Sequence, residues 1–329
     1  MKANRVVRVA LIEVGVRLAG GIALFLASGC ASLPYAPTTC DEADRMPLRE
    51  SEAQVERGRP NAFVDGLGHY LVSLPTKLLL LSWSVENHDV SPETEAALAE
   101  YVSVNELCHV KVRINQYSVP GEWSRLFRNR NVAGGWRYTV GFLTVVTYTA
   151  LPQRVFGGDN YNPYTNTIHI YSDVESVALH EGGHAKDFAT RRHKGSYGAL
   201  RLLPLVPLYQ EGKATKDAVS YLRNAGEAEA ERKAYPMLWG AYGTYVAGEG
   251  LRWYEGPFGV SYLIQLPIAW TGKLAGKIKS WTVPEPAPPP PQEPAPVEEP
   301  PLAEEPPAPP EESPPLEMVP PVTEDQQAP

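Results

Sequence analysis

Hydrophobic and polar residues alternate along two short stretches of this chain. Apolar residues at positions 110, 112 and 114 alternate with Lys, Arg and Asn, which predicts a half-buried strand. Residues 167–171 alternate in the same way and predict a second strand. Residues 137–148 are rich in Thr, Val, Tyr and Phe, which favours a further strand, although Gly141 weakens it. These stretches predict a small sheet.

Three other stretches predict helices. Ser91 followed by Pro92 and two acidic residues is typical of a helix start, and predicts a helix over residues 91–104. Residues 172–175, Ser-Asp-Val-Glu, match a capping box and predict a helix over residues 174–188. Residues 224–235 are rich in Ala and Glu and predict another. Strands and helices together predict the α+β fold class.

The helix over residues 174–188 contains the sequence HEGGH, which is an HExxH motif. Residues four apart on a helix share a face, so His180 and His184 can both direct a ring nitrogen at one Zn²⁺ ion. Glu181 lies beside them, where it can take a proton from a water molecule on the metal. The motif therefore predicts a zinc site with Glu181 as general base.

Two adjacent glycines lie inside this predicted helix. Each costs about 1 kcal/mol of helix stability relative to Ala, so something must favour the small size of Gly182 and Gly183. Two explanations stay open: the close approach of a strand or substrate backbone, or tight packing of the helix.

A third metal ligand is needed beyond the two histidines. The pattern HExxHxxGxxH is excluded, because Asp187 occupies the Gly position and Thr190 the third His position. Asp187 follows His184 on nearly the same helix face. It is either a hydrogen-bond acceptor for a ligand or an ordinary surface acid beside Lys186 and Arg191.

The helix predicted over residues 224–235 offers three candidate carboxylates. Glu229 precedes Lys233 by four residues, the favourable spacing for a surface ion pair, so it is expected to point outward. Glu227 and Glu231 share the opposite face with small residues, and one of them is expected to point inward.

HEGGH followed by the EAEAER of residues 227–232 resembles the HExxH plus ExxAD(R) arrangement of gluzincin metallopeptidases. That group contains the heat-shock membrane metallopeptidases, the CAAX prenyl proteases and their periplasmic lipoprotein relatives. The resemblance covers residues 172–235, and departs from the family in having Glu231 for Asp and Gly182 inside the motif. It implies Glu227 as the third zinc ligand, with Glu231 in the position of the Asp.

The resemblance also implies a zincin-like architecture and a mechanism. The architecture is a small mixed sheet whose edge strand leads into the HExxH helix, followed by a second, ligand-bearing helix. Substrate would pair along residues 167–171, and His169 in this strand is expected to line the cleft or lie at the surface rather than bind metal. Zinc would polarise a peptide carbonyl while Glu181 moves the proton. Candidates for the oxyanion donor stay open: Tyr161, His193, Arg232 and Tyr235.

The N-terminus predicts export and lipid attachment. Lys2, Arg5 and Arg8 precede a short apolar stretch at residues 18–27, as in a secretory signal. Residues 26–30, LASGC, resemble the bacterial lipobox, in which the Cys, here Cys30, is acylated. The residue after it is Ala, which resembles the outer-membrane sorting pattern, so the expected location is the cell envelope, facing the periplasm.

Cysteine content agrees with an exported chain. With Cys30 taken by lipid, Cys40 and Cys108 are the remaining pair for a disulfide in an oxidising compartment.

Charge and proline content divide the chain further. Residues 284–329 hold 19 of the 33 prolines and 11 of the 38 acidic residues, with no Lys or Arg. Such a tail cannot bury a core and is expected to be disordered; it either reaches a cell-wall or protein partner or only aids solubility. Residues 30–283 carry equal numbers of basic and acidic residues, which argues against nucleic acid as a partner. The expected segments are a signal peptide (1–29), a linker (30–62), a metallopeptidase domain (63–283) and the tail (284–329).

Two functions of different class follow. The first is a lipid-anchored zinc endopeptidase that acts on envelope proteins or peptides. The second is a non-catalytic envelope lipoprotein with a structural or vestigial metal site and an interacting Pro-rich tail. Hydrolysis of a peptidoglycan cross-link would use the same metal site, and the sequence does not distinguish it from the first function.

Overall fold

A computed structural model describes residues 35–39, 46–49, 52–254, 256 and 258–285. Within these ranges the strands are β1 (Val55–Arg57), β2 (Lys111–Ile114), β3 (Asn160–Asn162) and β4 (Thr167–Ile170). The α-helices are α1 (Ala62–Leu67), α2 (Leu74–Leu80), α3 (Pro92–Val104), α4 (Val119–Arg128), α5 (Gly134–Trp136), α6 (Phe142–Ala150), α7 (Gln153–Phe156), α8 (Glu175–Ala189), α9 (Lys194–Ala199), α10 (Val206–Ala225), α11 (Ala228–Gly250) and α12 (Phe258–Ser280). Gly68–Val72 and Arg137–Gly141 are π-helical, and Leu200–Leu202 is a 3₁₀ turn. The predicted α+β class is confirmed.

The strands of the described residues form one mixed sheet in the order β1-β2-β4-β3. β1, β2 and β4 run parallel, and β3 joins β4 in the antiparallel direction. β4, which leads into α8, is therefore an internal strand. The expectation that residues 167–171 form an edge strand is wrong, because β3 occupies that edge.

One face of the sheet builds the main hydrophobic core. Val112 and Ile114 of β2 lie beside Ile168 and Ile170 of β4, and all four are fully buried. Helices α3 and α8 pack on this face, with Leu98 and Leu179 among their buried residues, and α10 and α11 complete the core. The HExxH helix is thus held between the sheet and a layer of helices.

The opposite face of the sheet is polar but equally buried. Arg113 Nε donates to Glu122 Oε1 of α4 at 2.9 Å, and Lys111 Nζ pairs with Glu56 Oε1 at 2.7 Å. All residues of β2 are buried, so the prediction of a half-buried strand is wrong in its exposure although right in its position. Ion pairs with α4 and β1 allow these charges to leave solvent.

Residues 137–148 are helical, not a strand. The buried residues of this stretch are Arg137, Gly141, Val145 and Tyr148, which follow a helical spacing of four, four and three. A Cβ at Gly141 would lie 2.9 Å from Leu126 Cδ1, so the glycine lets this helix approach α4 closely. Packing against α4 overrides the β propensity of the Thr, Val and Tyr residues.

Two other predicted boundaries change. β1 lies inside the range 30–62 that we expected to be a linker, and pairs in parallel with β2. The helix predicted over residues 224–235 is interrupted: α10 ends at Ala225, Gly226 takes the left-handed conformation with φ 78°, and α11 begins at Ala228. Gly226 is a helix C-cap of the usual left-handed kind.

Several predictions concern residues beyond the described ranges. The signal peptide, Cys30, Cys40 and residues 286–329 of the tail lie outside the described residues. Cys108 is disulfide-bonded. Of the helices in the described ranges, none combines the length and the hydropathy that crossing a bilayer requires.

Candidate metal centre

The junction between β4 and α8 is fixed by side chains from other parts of the chain. One carboxylate oxygen of Asp159, Oδ1, accepts from the backbone N–H of Tyr171 at 2.6 Å and of Ser172 at 3.0 Å. Asp173 Oδ1 accepts from the Ser91 hydroxyl at 2.6 Å, which ties the same junction to the start of α3. The first turn of α8 therefore starts from a defined point at the end of the sheet.

The predicted capping box at residues 172–175 does not form. The Ser172 hydroxyl donates to Asp159 and accepts from the Glu86 N–H at 2.7 Å. α8 begins at Glu175, and no side chain of the described residues caps it. Ser172 is thus used to join two loops rather than to end a helix.

Tight packing explains the two glycines of the motif. A Cβ at Gly182 would lie 2.7 Å from the Tyr101 ring of α3. A Cβ at Gly183 would lie 2.9 Å from the backbone oxygen of Ala214 in α10. α8 is therefore in close contact with two helices at once, and of the two explanations left open by the sequence, helix packing is the one observed.

Three side chains from α8 and α10 converge on one point. His180 Nε2 lies 3.0 Å from Glu211 Oε2, and His184 Nε2 lies 3.3 Å from the same oxygen. The two imidazole rings stand at 88° to each other, with centroids 4.7 Å apart. All three residues are buried, and this group could hold a metal ion.

Other side chains orient these three residues. Arg201, from the 3₁₀ turn before α10, forms an ion pair with Glu211 Oε1, which leaves Oε2 directed at the histidines. Thr215, one helical turn after Glu211, places Oγ1 3.3 Å from His180 Nδ1. A histidine ligand commonly has such a partner on its second nitrogen, and the partner fixes the orientation of the ring.

The charges of this cluster are strongly coupled. Burial alone would raise the pKa of Glu211, but the nearby imidazoles and the Arg201 guanidinium hold it well below its usual range. Burial alone would lower the pKa of His184, but the Glu211 carboxylate outweighs it and raises the pKa. Glu211 is therefore an anion at neutral pH, as a metal ligand must be.

Glu181 faces a cavity beside the cluster. It is buried, and no described side chain forms a hydrogen bond with its carboxylate. Burial raises the pKa of Glu181, and the neighbouring imidazoles only partly offset this effect. The cavity has a volume of about 610 Å³ and is also lined by His184, Glu211, Arg201 and Tyr245. A carboxylate with a raised pKa at a cavity wall is suited to accept and return a proton.

The carboxylates predicted from the downstream helix lie away from the histidines. Glu227 is exposed at the N-cap of α11, and the group that could hold a metal ion contains Glu211 in the place predicted for Glu227. Glu231 is buried, as expected for one of the two, but Arg223 donates to it at 2.7 Å. Glu229 is exposed and pairs with Lys233 at 2.6 Å, as predicted. Glu227 lies in the break between the two helices, after Gly226 has ended α10 and before α11 begins.

Asp187 is buried and belongs to a separate ion-pair group. It accepts from Arg191 at 2.5 Å and from the Tyr197 hydroxyl at 2.5 Å, and it pairs with Lys213 of α10. Neither alternative from the sequence describes Asp187 fully. Its hydrogen bonds, among the described residues, do not include His180 or His184, and its side chain is buried rather than at the surface. Its role is to join α8, α9 and α10.

The four candidate oxyanion donors lie in different parts of the structure. Tyr161 lines the cavity and donates to Asn166 Oδ1 at 2.8 Å. Tyr235 donates to Glu231 and Arg232 donates to the backbone of Val283, and neither lines the cavity. His193 is exposed at the start of α9. Only Tyr161 of these four stays beside the cluster.

His169 is fully buried on the polar face of the sheet and lines the cavity. Its Nε2 lies 3.6 Å from Glu122 Oε2, and its ring packs against Tyr148 with centroids 5.2 Å apart. Of the two positions expected for it, the cleft wall is the one observed.

Glu211, Thr215, Arg201 and Tyr245 were not predicted from the sequence. One signal was present for Glu211: in α10 the buried positions Leu208, Glu211, Thr215 and Leu222 follow a helical spacing. A carboxylate among such positions must find a partner inside the protein. Pro207 lies in the first turn of α10, where Pro is well tolerated.

The donor set could hold a metal ion, and its composition is one that zinc accepts. Two imidazole nitrogens and one carboxylate oxygen are a known ligand set for catalytic zinc, which leaves a further position open. Bonds of about 2.0–2.1 Å in a tetrahedron would separate ligand atoms by about 3.3 Å. The observed separations of 3.0 and 3.3 Å from Glu211 Oε2 are close to that spacing.

In comparisons with known proteins, the chain matches no family model, no curated protein and no solved structure.

Proposed function

We propose that this protein is a zinc metallopeptidase with a zincin-like site. The observation that carries the proposal is the convergence of His180, His184 and Glu211 beside a carboxylate, Glu181, that faces a cavity. Three residues would hold the ion, and a fourth would handle protons. A buried structural site would need no such carboxylate at an open cavity.

Each residue has a distinct task in this proposal. Bound Zn²⁺ would supply Lewis acidity, polarising a peptide carbonyl and lowering the pKa of water. Glu181 accepts the proton of the attacking water, and its raised pKa suits it to return that proton to the leaving amine. Arg201 keeps Glu211 in its rotamer, and Thr215 keeps the ring of His180 in place.

The substrate of this proposal is an extended peptide that pairs with β3. β3 is an edge strand, and its residues Asn160, Tyr161 and Asn162 line the cavity that Glu181 faces. An edge strand offers unpaired backbone groups to an added strand. The apolar side chains of Leu143 and Leu202 on the cavity wall would accept apolar side chains of the peptide.

Tyr245 is the donor we propose for the oxyanion. It lies in α11, lines the cavity, and its ring centroid is 5.8 Å from the Arg201 guanidinium. The negative charge of Glu211, together with burial, raises the pKa of Tyr245 above its usual range. The phenol therefore keeps its proton at neutral pH and can donate it in a hydrogen bond.

The test measures hydrolysis of unfolded casein by the full chain loaded with zinc. Glu181→Gln is expected to lower the rate by about 10²–10⁴-fold, because general base catalysis is lost, while zinc content stays the same. Glu175→Gln, in the first turn of the same helix, is the matched control and should keep full activity. Zinc binding without turnover that depends on Glu181 would reject the peptidase and leave a structural metal site.

The location of the enzyme is a proposal that rests on sequence alone. We propose attachment to the outer membrane through a lipid on Cys30, with the catalytic unit in the periplasm and envelope proteins or peptides as substrates. The Pro-rich tail would reach a cell-wall or protein partner.

A further inference from the structure

Helix α12 presents an apolar stripe to solvent along most of its length. The exposed residues are spaced three, seven, four and four positions apart, so they share one face: Val260, Leu263, Trp270, Leu274 and Ile278. Leu263 is 65% exposed and Leu274 62%. A monomeric soluble protein rarely exposes apolar side chains in such a continuous row.

The stripe lies opposite the side of α12 that packs against α11. On the other side of α12, Ala269 is fully buried, and Gly272 and Gly276 pack against the backbone of α11. A Cβ at Gly272 would lie 2.3 Å from the Trp239 backbone oxygen. This close packing fixes the rotation of α12, so the stripe cannot turn inward without separating the two helices.

Helix α2 extends the same surface. Trp270 Nε1 donates to the Leu78 backbone oxygen at 3.1 Å, and the Tyr262 hydroxyl donates to the Pro75 oxygen at 2.7 Å. Leu74, Leu78 and Leu81 are exposed on this helix and at its end. We define the α2–α12 face by six exposed residues from the two helices: Leu74, Leu78, Leu81, Leu263, Trp270 and Leu274.

The charges of these two helices have a single sign. α12 contains Lys273, Lys277 and Lys279 and no acidic residue. Lys273 donates to the Leu80 backbone oxygen and Lys279 lies over the Tyr235 ring, so Lys277 is the lysine that lies next to the stripe. α2 contains Lys77, which is buried, and likewise no acidic residue. A helix with Trp and Leu on one face, accompanied by lysines, is typical of helices that lie in the interface of a bilayer containing anionic lipid.

We propose that the α2–α12 face docks on a membrane surface that carries anionic phospholipid. The apolar residues would enter the boundary between headgroups and acyl chains, to a depth of about 5–10 Å. Lys277, an exposed residue three positions after Leu274, would contact phosphate groups, and Trp270 and Trp281 would lie at headgroup level, where indole rings are favoured. The helices lie on the bilayer rather than cross it. This proposal is independent of the metal centre.

In the experiment, the full chain is reconstituted into vesicles of phosphatidylethanolamine and phosphatidylglycerol. Part of the lipid carries bromine on its acyl chains. Bromine quenches tryptophan fluorescence only at contact range. Quenching is expected in these vesicles, and Trp270→Phe should remove part of it. Trp136→Phe is the matched control, because Trp136 is an exposed tryptophan on α5, and it should leave the amount of fluorescence lost to bromine unchanged.

A second pair of variants tests the apolar contact itself. The double variant Leu263→Glu with Leu274→Glu should abolish the quenching of Trp270, whereas Val104→Glu, at an exposed position of α3, should not. Vesicles made only of phosphatidylcholine, brominated to the same extent, should quench the unaltered chain less. This comparison needs no variant. If neither Trp270→Phe nor the double variant changes the quenching, the proposal is overturned. So would conversion of a cross-linkable dimer to a monomer by the double variant, since the face would then join two copies.

Discussion

Thr215 Oγ1 lies 3.3 Å from Nδ1 of His180, on the side of the ring opposite Glu211. Glu211, one turn earlier on the same helix, lies 3.0 Å from Nε2. α10 therefore holds both nitrogens of the ring, and the position of His180 depends on the packing of α8 against α10. That packing depends in turn on Gly183, which lets the two backbones approach.

The first prediction concerns this hydroxyl. Thr215→Val keeps the shape of the side chain but removes the polar partner of His180 Nδ1, so zinc affinity should fall about 10–100-fold. Competition with a chelator of known affinity measures it. Thr215→Ser retains the hydroxyl and should bind zinc nearly as well as the unaltered chain. Equal affinities for the Val and Ser variants would show that the hydroxyl does not orient the ring.

The second prediction distinguishes the two candidates for the third ligand. Glu211→Gln removes the charged oxygen that both imidazoles contact, so the purified protein should lose stoichiometric zinc. Glu227→Gln, at an exposed residue, should leave zinc content unchanged. Metal analysis after dialysis decides between them. Zinc loss in the Glu227 variant alone would restore the ligand set that the resemblance to gluzincins implies.

Elements with a local signal were predicted correctly from the sequence. The Ser91 cap, the alternation in β2 and β4, and the HExxH helix each depend on neighbouring residues, and each has the expected position. Residues 137–148 were assigned wrongly because packing against α4, rather than intrinsic propensity, determines their conformation.

The third ligand could not be predicted because it depends on tertiary packing. Glu211 reaches the histidines only after α10 packs along α8, and no spacing rule connects position 211 with position 184. Periodicity was still informative at Glu229 and Glu231, whose exposure and burial match the expectation. It separated Glu229 from Glu227 and Glu231, but it indicated neither which of those two is buried nor which partner the buried one meets.

The third prediction concerns the glycines of the motif. Intrinsic propensity favours Ala over Gly in a helix by about 1 kcal/mol, but a Cβ at Gly183 would meet the Ala214 backbone at 2.9 Å. Overpacking of this kind costs about 1–3 kcal/mol, so Gly183→Ala should lower the free energy of unfolding and weaken zinc binding. Gly248→Ala in α11 meets nothing within 4 Å and should instead stabilise the protein. Urea unfolding of both variants measures the contrast; stabilisation by Gly183→Ala would contradict the packing argument.

The last prediction concerns pH and the buried carboxyl of Glu86. Burial, reinforced by the charge of Asp159, raises the pKa of Glu86 to about 7 from its ordinary value of 4.5. Between pH 4.5 and about 7, the folded state therefore holds a proton that the unfolded state has released. The contribution of Glu86 to the free energy of unfolding becomes more unfavourable as pH rises through this range, and it stays constant above about pH 7.

Glu86→Gln removes this cost. The variant should be more stable than the unaltered chain by up to about 3 kcal/mol at about pH 8, while the two should differ little at about pH 4.5. Urea unfolding at both pH values measures the difference. Glu93→Gln, at an exposed position on α3, serves as the control and should change stability equally little at both. If Glu86→Gln leaves the pH profile of stability unchanged, the Glu86 carboxyl is solvated, and the loop between α2 and α3 is more open than its hydrogen bonds to Ser172 and Lys77 indicate.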